Sequence, residues 1–182
     1  TLNMNRLGWA LMELADPGVA SLYVYHANPA AVAPDQNAVL RGLAREDLFT
    51  VVHERFMTDT ALYADLVLPA TSSLEHSDLY RSYGTYCIQR ARAVVEPVGQ
   101  SRSNLEVFQA LAREMGFTEP VFSQGADALI DALLAEPHPW REGLDRVLLD
   151  RGLAAELDPG RDTGPGFRTP SGKRRNAPSS RE

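Results

Sequence analysis

The sequence predicts an α/β fold: a parallel sheet with flanking helices, an irregular excursion in the middle and a disordered C-terminal tail. Three observations carry that expectation. Short aromatic and β-branched runs alternate with segments whose apolar residues recur at helical spacing. Helical periodicity fails between Thr71 and Gly99, and residues 161–182 are rich in Gly, Pro and Arg with almost no apolar side chain except Phe167.

Taken in order, Leu7, Ala10, Leu11 and Leu14 share a helical face, and Asp16-Pro17-Gly18 stops it. Ser21 to His26 (Ser-Leu-Tyr-Val-Tyr-His) suits a buried strand ended by Asn28-Pro29. After a Pro-containing loop, Asp35 caps a helix with Val39, Leu40 and Leu43, and Leu48 to His53 is a second buried strand. Thr58 caps a turn through Ala61, Leu62 and Ala64, and Asp65 to Pro69 is a very short third strand stopped by proline. Strands joined by such helices pair in parallel through right-handed crossovers. Tyr80, Tyr83, Tyr86 and Ile88, then Ala93-Val94-Val95, suggest an excursion or hairpin. Ser103-Asn104-Leu105-Glu106 has capping-box spacing for a helix with Phe108, Leu111, Ala112 and Met115 inside, stopped by Gly116. Ala126 to Ala135 is another helix, and Trp140 to Asp150 a weaker third one.

Composition limits the function. The 182 residues hold 24 acidic against 18 basic side chains, a net charge of -6, which leaves no general positive excess for a phosphate backbone. No nucleic-acid partner is expected. The single cysteine, Cys87, cannot form an internal disulfide or supply a cysteine cluster for zinc or iron–sulfur binding. No apolar run approaches the roughly 20 residues of a membrane-spanning helix. His26, His53, His76 and His138 show no metal-site spacing, Ser72 and Ser73 lack a nucleophile elbow, and neither a Gly-x-Gly-x-x-Gly nor a P-loop pattern occurs. A chain opening on Thr1 reads as processed or partial.

In open parallel sheets, ligands bind beyond the carboxyl ends of the strands. Asn28 follows the first strand, where its carboxamide either reads a ligand's donors and acceptors or closes an Asx turn. His53 and Glu54 follow the second, where a carboxylate either accepts bonds from a ribose diol or guanine edge or is a solvated strand-end charge. Caps explain Thr58, Thr60 and Asp65 adequately. Residue chemistry alone reaches an α/β nucleotide-binding-like module.

The ordered segments Tyr-Val-Tyr-His-Ala-Asn-Pro-Ala (23–30), Asp-Leu-Phe-Thr-Val-Val-His-Glu (47–54) and Phe-Met-Thr-Asp-Thr-Ala-Leu-Tyr-Ala-Asp-Leu-Val-Leu-Pro-Ala-Thr-Ser-Ser-Leu-Glu (56–75) resemble the molybdopterin oxidoreductases of the dimethyl sulfoxide reductase superfamily. Ser-Tyr-Gly-Thr-Tyr (82–86), Glu-Pro-Val-Gly-Gln (96–100) and Asn-Leu-Glu-Val-Phe-Gln-Ala-Leu-Ala-Arg-Glu-Met-Gly (104–116) continue the resemblance in the same order. It implies the latter half of a Rossmann-like domain that receives the guanosine end of a molybdopterin guanine dinucleotide. In the intact parent, two such dinucleotides hold molybdenum or tungsten. Asn28 matches the family's Asn-Pro position and His53-Glu54 its polar-plus-acid pair. His76 falls where relatives often carry Lys or Arg, and Asn104 where many carry Asp. The implied role of all five is cofactor binding, and none is expected to be catalytic or a metal ligand.

The resemblance divides the chain into a partial dinucleotide-binding domain (1–117), a helical extension (118–160) and a basic disordered tail (161–182). It implies that the metal ligand and any 4Fe-4S cluster of the parent lie in missing upstream segments. The expected partners are the cofactor, the missing domains and, for the parent, an electron-transfer subunit; the expected compartment is the cytoplasm, with export by an upstream signal as the other route. The expected function is a cofactor-binding fragment of a molybdenum-dependent oxidoreductase, inactive alone. The alternatives are a noncatalytic α/β nucleotide-binding or interaction module and a nonfunctional truncated product, the latter with a frame shift near Lys173.

Overall fold

The structure, a computed structural model, describes residues 2–142 and 144–158, so the expected disordered tail lies outside the described residues. These residues form two compact units: 2–76 with 94–118, and 77–93 with 119–158.

The first unit is built on a three-stranded parallel sheet in the order β1-β2-β3, formed by Ser21–Tyr25, Phe49–Glu54 and Leu66–Pro69. Because side chains alternate along a strand, each face has its own cover. Val24 and Val52 pack with Ala61, Leu22 and Val67 on one face, where α1 (Leu7–Glu13), a short α2 (Pro29–Val32) and α3 (Gln36–Leu43) add Leu11, Ala30, Val39 and Leu43. The helices α1 and α3 approach closely: a Cβ added at Gly42 would lie 2.5 Å from the Leu11 Cβ, and one at Gly8 2.7 Å from the Ala38 Cβ. On the other face Tyr23 and Tyr25 meet Phe108 of α4 (Asn104–Glu114) at ring separations of 5.5 and 5.3 Å.

Local chemistry sets the ends. The Asp35 side chain accepts from the Ala38 N–H to start α3. Ser103 and Glu106 form the expected reciprocal capping box at α4, and Gly116, with φ of 81°, ends it in the left-handed region. The segment expected to be only a Pro-containing loop instead holds α2, because Pro29 sits in the first turn, where its missing N–H costs nothing.

In the second unit β4 (Asp78–Arg81) and β5 (Cys87–Ala91) form a hairpin, the second of the two forms the sequence left open, and the two-residue β6 (Ala155–Glu156) joins β5. Their core is Ile88, Leu149, Ala155 and Leu157 with Ile130 and Leu134 of α5 (Ala126–Ala135). One buried charge organises the unit. Arg90, 4 % exposed, reaches Asp127 at 2.9 Å, Asp131 at 2.8 Å and Asp150 at 3.2 Å. The hydrogen bond from Arg90 holds the Asp127 carboxyl below its ordinary range, and the same bond raises the guanidinium above its own.

One expected helix is corrected. Trp140 to Asp150 is not continuous: a 3₁₀ turn covers Pro139–Arg141, and a separate α6 runs Arg146–Asp150. The physical reason is Asp145, whose side chain accepts from the Val147 and Leu148 amides and so starts a new helix where the older one was expected to continue.

Candidate functional site

The carboxyl edge of the parallel sheet is fixed by its register, which sets Tyr25 beside His53 and Glu54 beside Pro69. Beyond β1 the chain passes through His26, at φ of 49°, into Asn28. The Asn28 carboxamide makes long-range bonds rather than a local turn. Its Oδ1 accepts from the Thr60 N–H at 3.1 Å and from the Thr60 hydroxyl at 2.7 Å, while its Nδ2 donates to Asp59 at 3.1 Å. Thr60 is fully buried, and its Oγ1 accepts from the Ala30 N–H at 3.0 Å. Asn28 therefore clasps the loop after β1 to the loop after β2, and fixes Asp59, whose carboxylate side chain is exposed.

His53 and Glu54 diverge although adjacent. His53 is fully buried, with Nε2 at 3.1 Å from the Arg102 carbonyl oxygen. A carbonyl only accepts, so the ring proton belongs on Nε2, and the Nδ1 lone pair has no protein partner among the described residues. Glu54 accepts from the Arg55 N–H at 2.8 Å, with the Arg55 guanidinium at 3.8 Å.

The Arg102 carbonyl gathers the rest. It accepts from the Thr71 N–H at 3.2 Å as well as from His53, and the Thr71 hydroxyl lies 2.8 Å from His76 Nδ1. The Arg102 N–H in turn donates to Pro69, and an Ala70–Arg102 bridge extends the sheet beyond β3. Two residues later Asn104 opens α4, with its Oδ1 buried and without a protein partner among the described residues. Nearby, Glu75 accepts from the Ser72 N–H at 2.6 Å and the Val98 N–H at 2.7 Å. The bonds from Ser72, and then that from Val98, hold its carboxyl below the ordinary glutamate range.

Five sequence-derived residues thus fall into two sets. Asn28 belongs to a clasp with Asp59 and Thr60; His53, His76 and the start of Asn104's helix converge on the Arg102 segment, and Glu54 ends the strand that carries His53. The arrangement is rich in acceptors. It suits a ligand offering N–H and O–H donors, whereas the carboxylates of Glu54 and Asp59 would repel a phosphate. Among the described residues no group of His, Cys, Asp or Glu is placed to hold a metal ion. Sequence reasoning missed Asp59 and underread Thr60, because Thr-Asp-Thr at 58–60 is fully explained by capping until its contact with Asn28 is seen. The Arg102 carbonyl carried no signal at all, being a backbone group.

The molybdopterin oxidoreductase family profile matches residues 3–114. The chain belongs to the molybdopterin oxidoreductase family. It is 46% identical over 175 residues to the probable oxidoreductase YoaE of Bacillus subtilis, covering 95% of this chain and 26% of that protein. A putative formate dehydrogenase of Staphylococcus aureus is 39% identical over 102 residues, 56% of this chain and 10% of that protein. Among solved structures, acetylene hydratase from Pelobacter acetylenicus superposes with a TM-score of 0.73 at 25% identity, covering 95% of this chain and 24% of that one. This family member therefore spans about a quarter of the length of YoaE. Among its described residues no helix is long and apolar enough to cross a membrane.

Proposed function

We propose that this chain is the part of a molybdenum-dependent oxidoreductase that binds the guanosine end of a molybdopterin guanine dinucleotide. The observation that carries the reading is the carboxyl edge of the parallel sheet, where Glu54 ends β2 and Asp59 is fastened to Asn28 beyond β1. In donor and acceptor terms these residues fit the group. A guanine edge and a ribose diol offer N–H and O–H donors, and Glu54, Asp59 and the orphaned Oδ1 of Asn104 offer acceptors. His53 is assigned a positioning role, since its buried ring holds the Arg102 segment that leads into Asn104. His76 is assigned the adjoining loop, through Thr71.

When bound, the cofactor supplies the redox chemistry through its metal, and this chain orients it. In the same reading the chain alone binds without turnover, and any 4Fe-4S cluster or electron-transfer subunit belongs to the other segments of the intact parent.

The test is thermal stabilisation of the 182-residue chain by guanosine monophosphate or by molybdopterin guanine dinucleotide, because a ligand that binds only the folded state raises its stability, by about 2.7 kcal/mol at 100 times Kd. A saturable shift, lost in Glu54→Ala and Asp59→Ala and weak with adenosine monophosphate, is the expected result. A folded chain with no shift, or one equally shifted by both nucleotides and indifferent to both substitutions, overturns the reading in favour of a noncatalytic module.

A further inference from the structure

The second unit contains a cavity of about 330 Å³ that the parallel sheet's carboxyl edge does not use. Its floor is apolar, from Leu79, Ile88, Leu134 and Leu157, and its wall includes Trp140. The polar lining is unusual for an acidic chain. Arg81, Arg141 and His138 contribute, and among the described residues no carboxylate lines the cavity, although the protein carries a net charge of -6. Two of its nitrogens are donors left without a protein partner. Trp140 Nε1 and Arg141 Nε are both buried without a protein partner among the described residues, and both groups can only donate. His138 Nδ1 accepts from the Trp140 N–H at 3.2 Å, which puts the neutral ring's proton on Nε2.

The Arg141 guanidinium also donates to the Leu133 carbonyl, so only its Nε–H and the Trp140 indole N–H lack a protein partner among the described residues, and buried donors so left cost free energy until an acceptor reaches them. Two guanidinium groups select an anion, and a planar fork favours a carboxylate. The leucine and isoleucine floor requires an apolar body attached to it. Trp140 already meets Tyr86 at 6.1 Å and His138 at 6.0 Å edge-on, so an aromatic ring extends an existing pattern. The volume lies at the small end of ligand cavities, about 300–1,000 Å³, which limits the guest to a single ring or a branched chain. We propose that this cavity binds a small carboxylate with an apolar, preferably aryl, body, presented either as a free organic acid or as the carboxyl terminus of a peptide ending in an aromatic residue. The site is independent of the guanosine reading.

The experiment is a titration of the full chain with phenylacetate, with phenylacetamide and with a short peptide ending in phenylalanine, followed by the indole N–H resonance of Trp140 in NMR spectra. Trp9, the other tryptophan, is removed as a confounding signal by Trp9→Phe. The expected result is a saturable Trp140 shift with phenylacetate, Kd on the order of 1 mM for so small a ligand, and binding at least tenfold weaker for phenylacetamide. Arg141→Gln and the exposed-site Arg81→Gln should each weaken phenylacetate binding several-fold while the far-ultraviolet spectrum stays that of the parent. Stronger binding of the peptide than of the free acid would assign the site to a chain terminus, and the reverse to a metabolite-sized acid. No Trp140 shift at tenfold above the expected Kd, or equal binding of acid and amide, overturns the proposal. So does phenylacetate binding that both arginine substitutions leave unchanged.

Discussion

Asn28 shows how much structure a single side chain of the candidate site holds. Its Oδ1 satisfies both the N–H and the hydroxyl of Thr60, which is fully buried, so truncation leaves two donors without partners. Asn28→Ala should therefore cost about 1–3 kcal/mol in urea unfolding, far more than an exposed loop residue would. Combined with Thr60→Val, which removes the orphaned hydroxyl, the loss should be smaller than the sum of the two single losses. A strictly additive pair would show that the clasp is not a unit. The clasp also bears on how much of the site could be read beforehand. Asn28 and Glu54 are legible because strand-ending polar residues sit where α/β sheets bind ligands, but the partner that fixes Asn28 is 32 residues away and no local spacing reveals it. His53 reads like its neighbour Glu54 and behaves differently, since the pleat sends adjacent side chains to opposite faces.

Elements place these residues, and their ends can be tested one at a time. The α4 start depends on Ser103, whose hydroxyl accepts from Glu106 N–H while the Glu106 carboxylate accepts from Ser103. Ser103→Ala should cost about 1 kcal/mol and loosen the Arg102 segment before it, visible as faster amide exchange at Thr71. Between α1 and α3 the contact is so close that glycine is required at Gly42. A methyl there would lie 2.5 Å from the Leu11 Cβ, so Gly42→Ala should destabilise by about 1–3 kcal/mol even though alanine is the better helix former. The turn at Ser72 adds a pH dependence. Glu75 has a depressed folded-state pKa, so its contribution is full above the unfolded value of about 4.3 and is lost as pH falls through the folded one. Glu75→Gln should flatten stability against pH in that acid window and leave the neutral region's slope unchanged. Equal acid slopes in the two proteins would remove Glu75 from the account.

At the scale of the whole molecule the two proposals fall on different units. The guanosine reading concerns residues of the first unit alone, and ligand binding should slow hydrogen exchange at β1, β2 and the loop through Thr60, with the hairpin β4–β5 unaffected. Protection confined to the hairpin would contradict it. The first unit also leaves apolar surface open on its sheet. Phe49 and Leu66 are 53 % and 45 % exposed, and both line a groove of about 930 Å³ shared with Leu68 and α4. The chain on its own should therefore self-associate as concentration rises, measured by sedimentation, and Phe49→Thr with Leu66→Thr should reduce that association.

The sequence by itself determined the parallel α/β plan, the caps at Asp35 and Ser103, the stop at Gly116 and the family, because each rests on local periodicity, local hydrogen bonding or an ordered string of motifs, whereas the choice between an excursion and the β4–β5 hairpin waited for the fold. Tertiary structure alone decided what those parts hold together. Asn28 gripping Thr60, His53 gripping the Arg102 carbonyl, and Arg90 gathering three aspartates are all contacts between residues tens of positions apart. Their energies come from burying polar groups with partners, and which partner a polar group meets is fixed only when the chain has closed on itself.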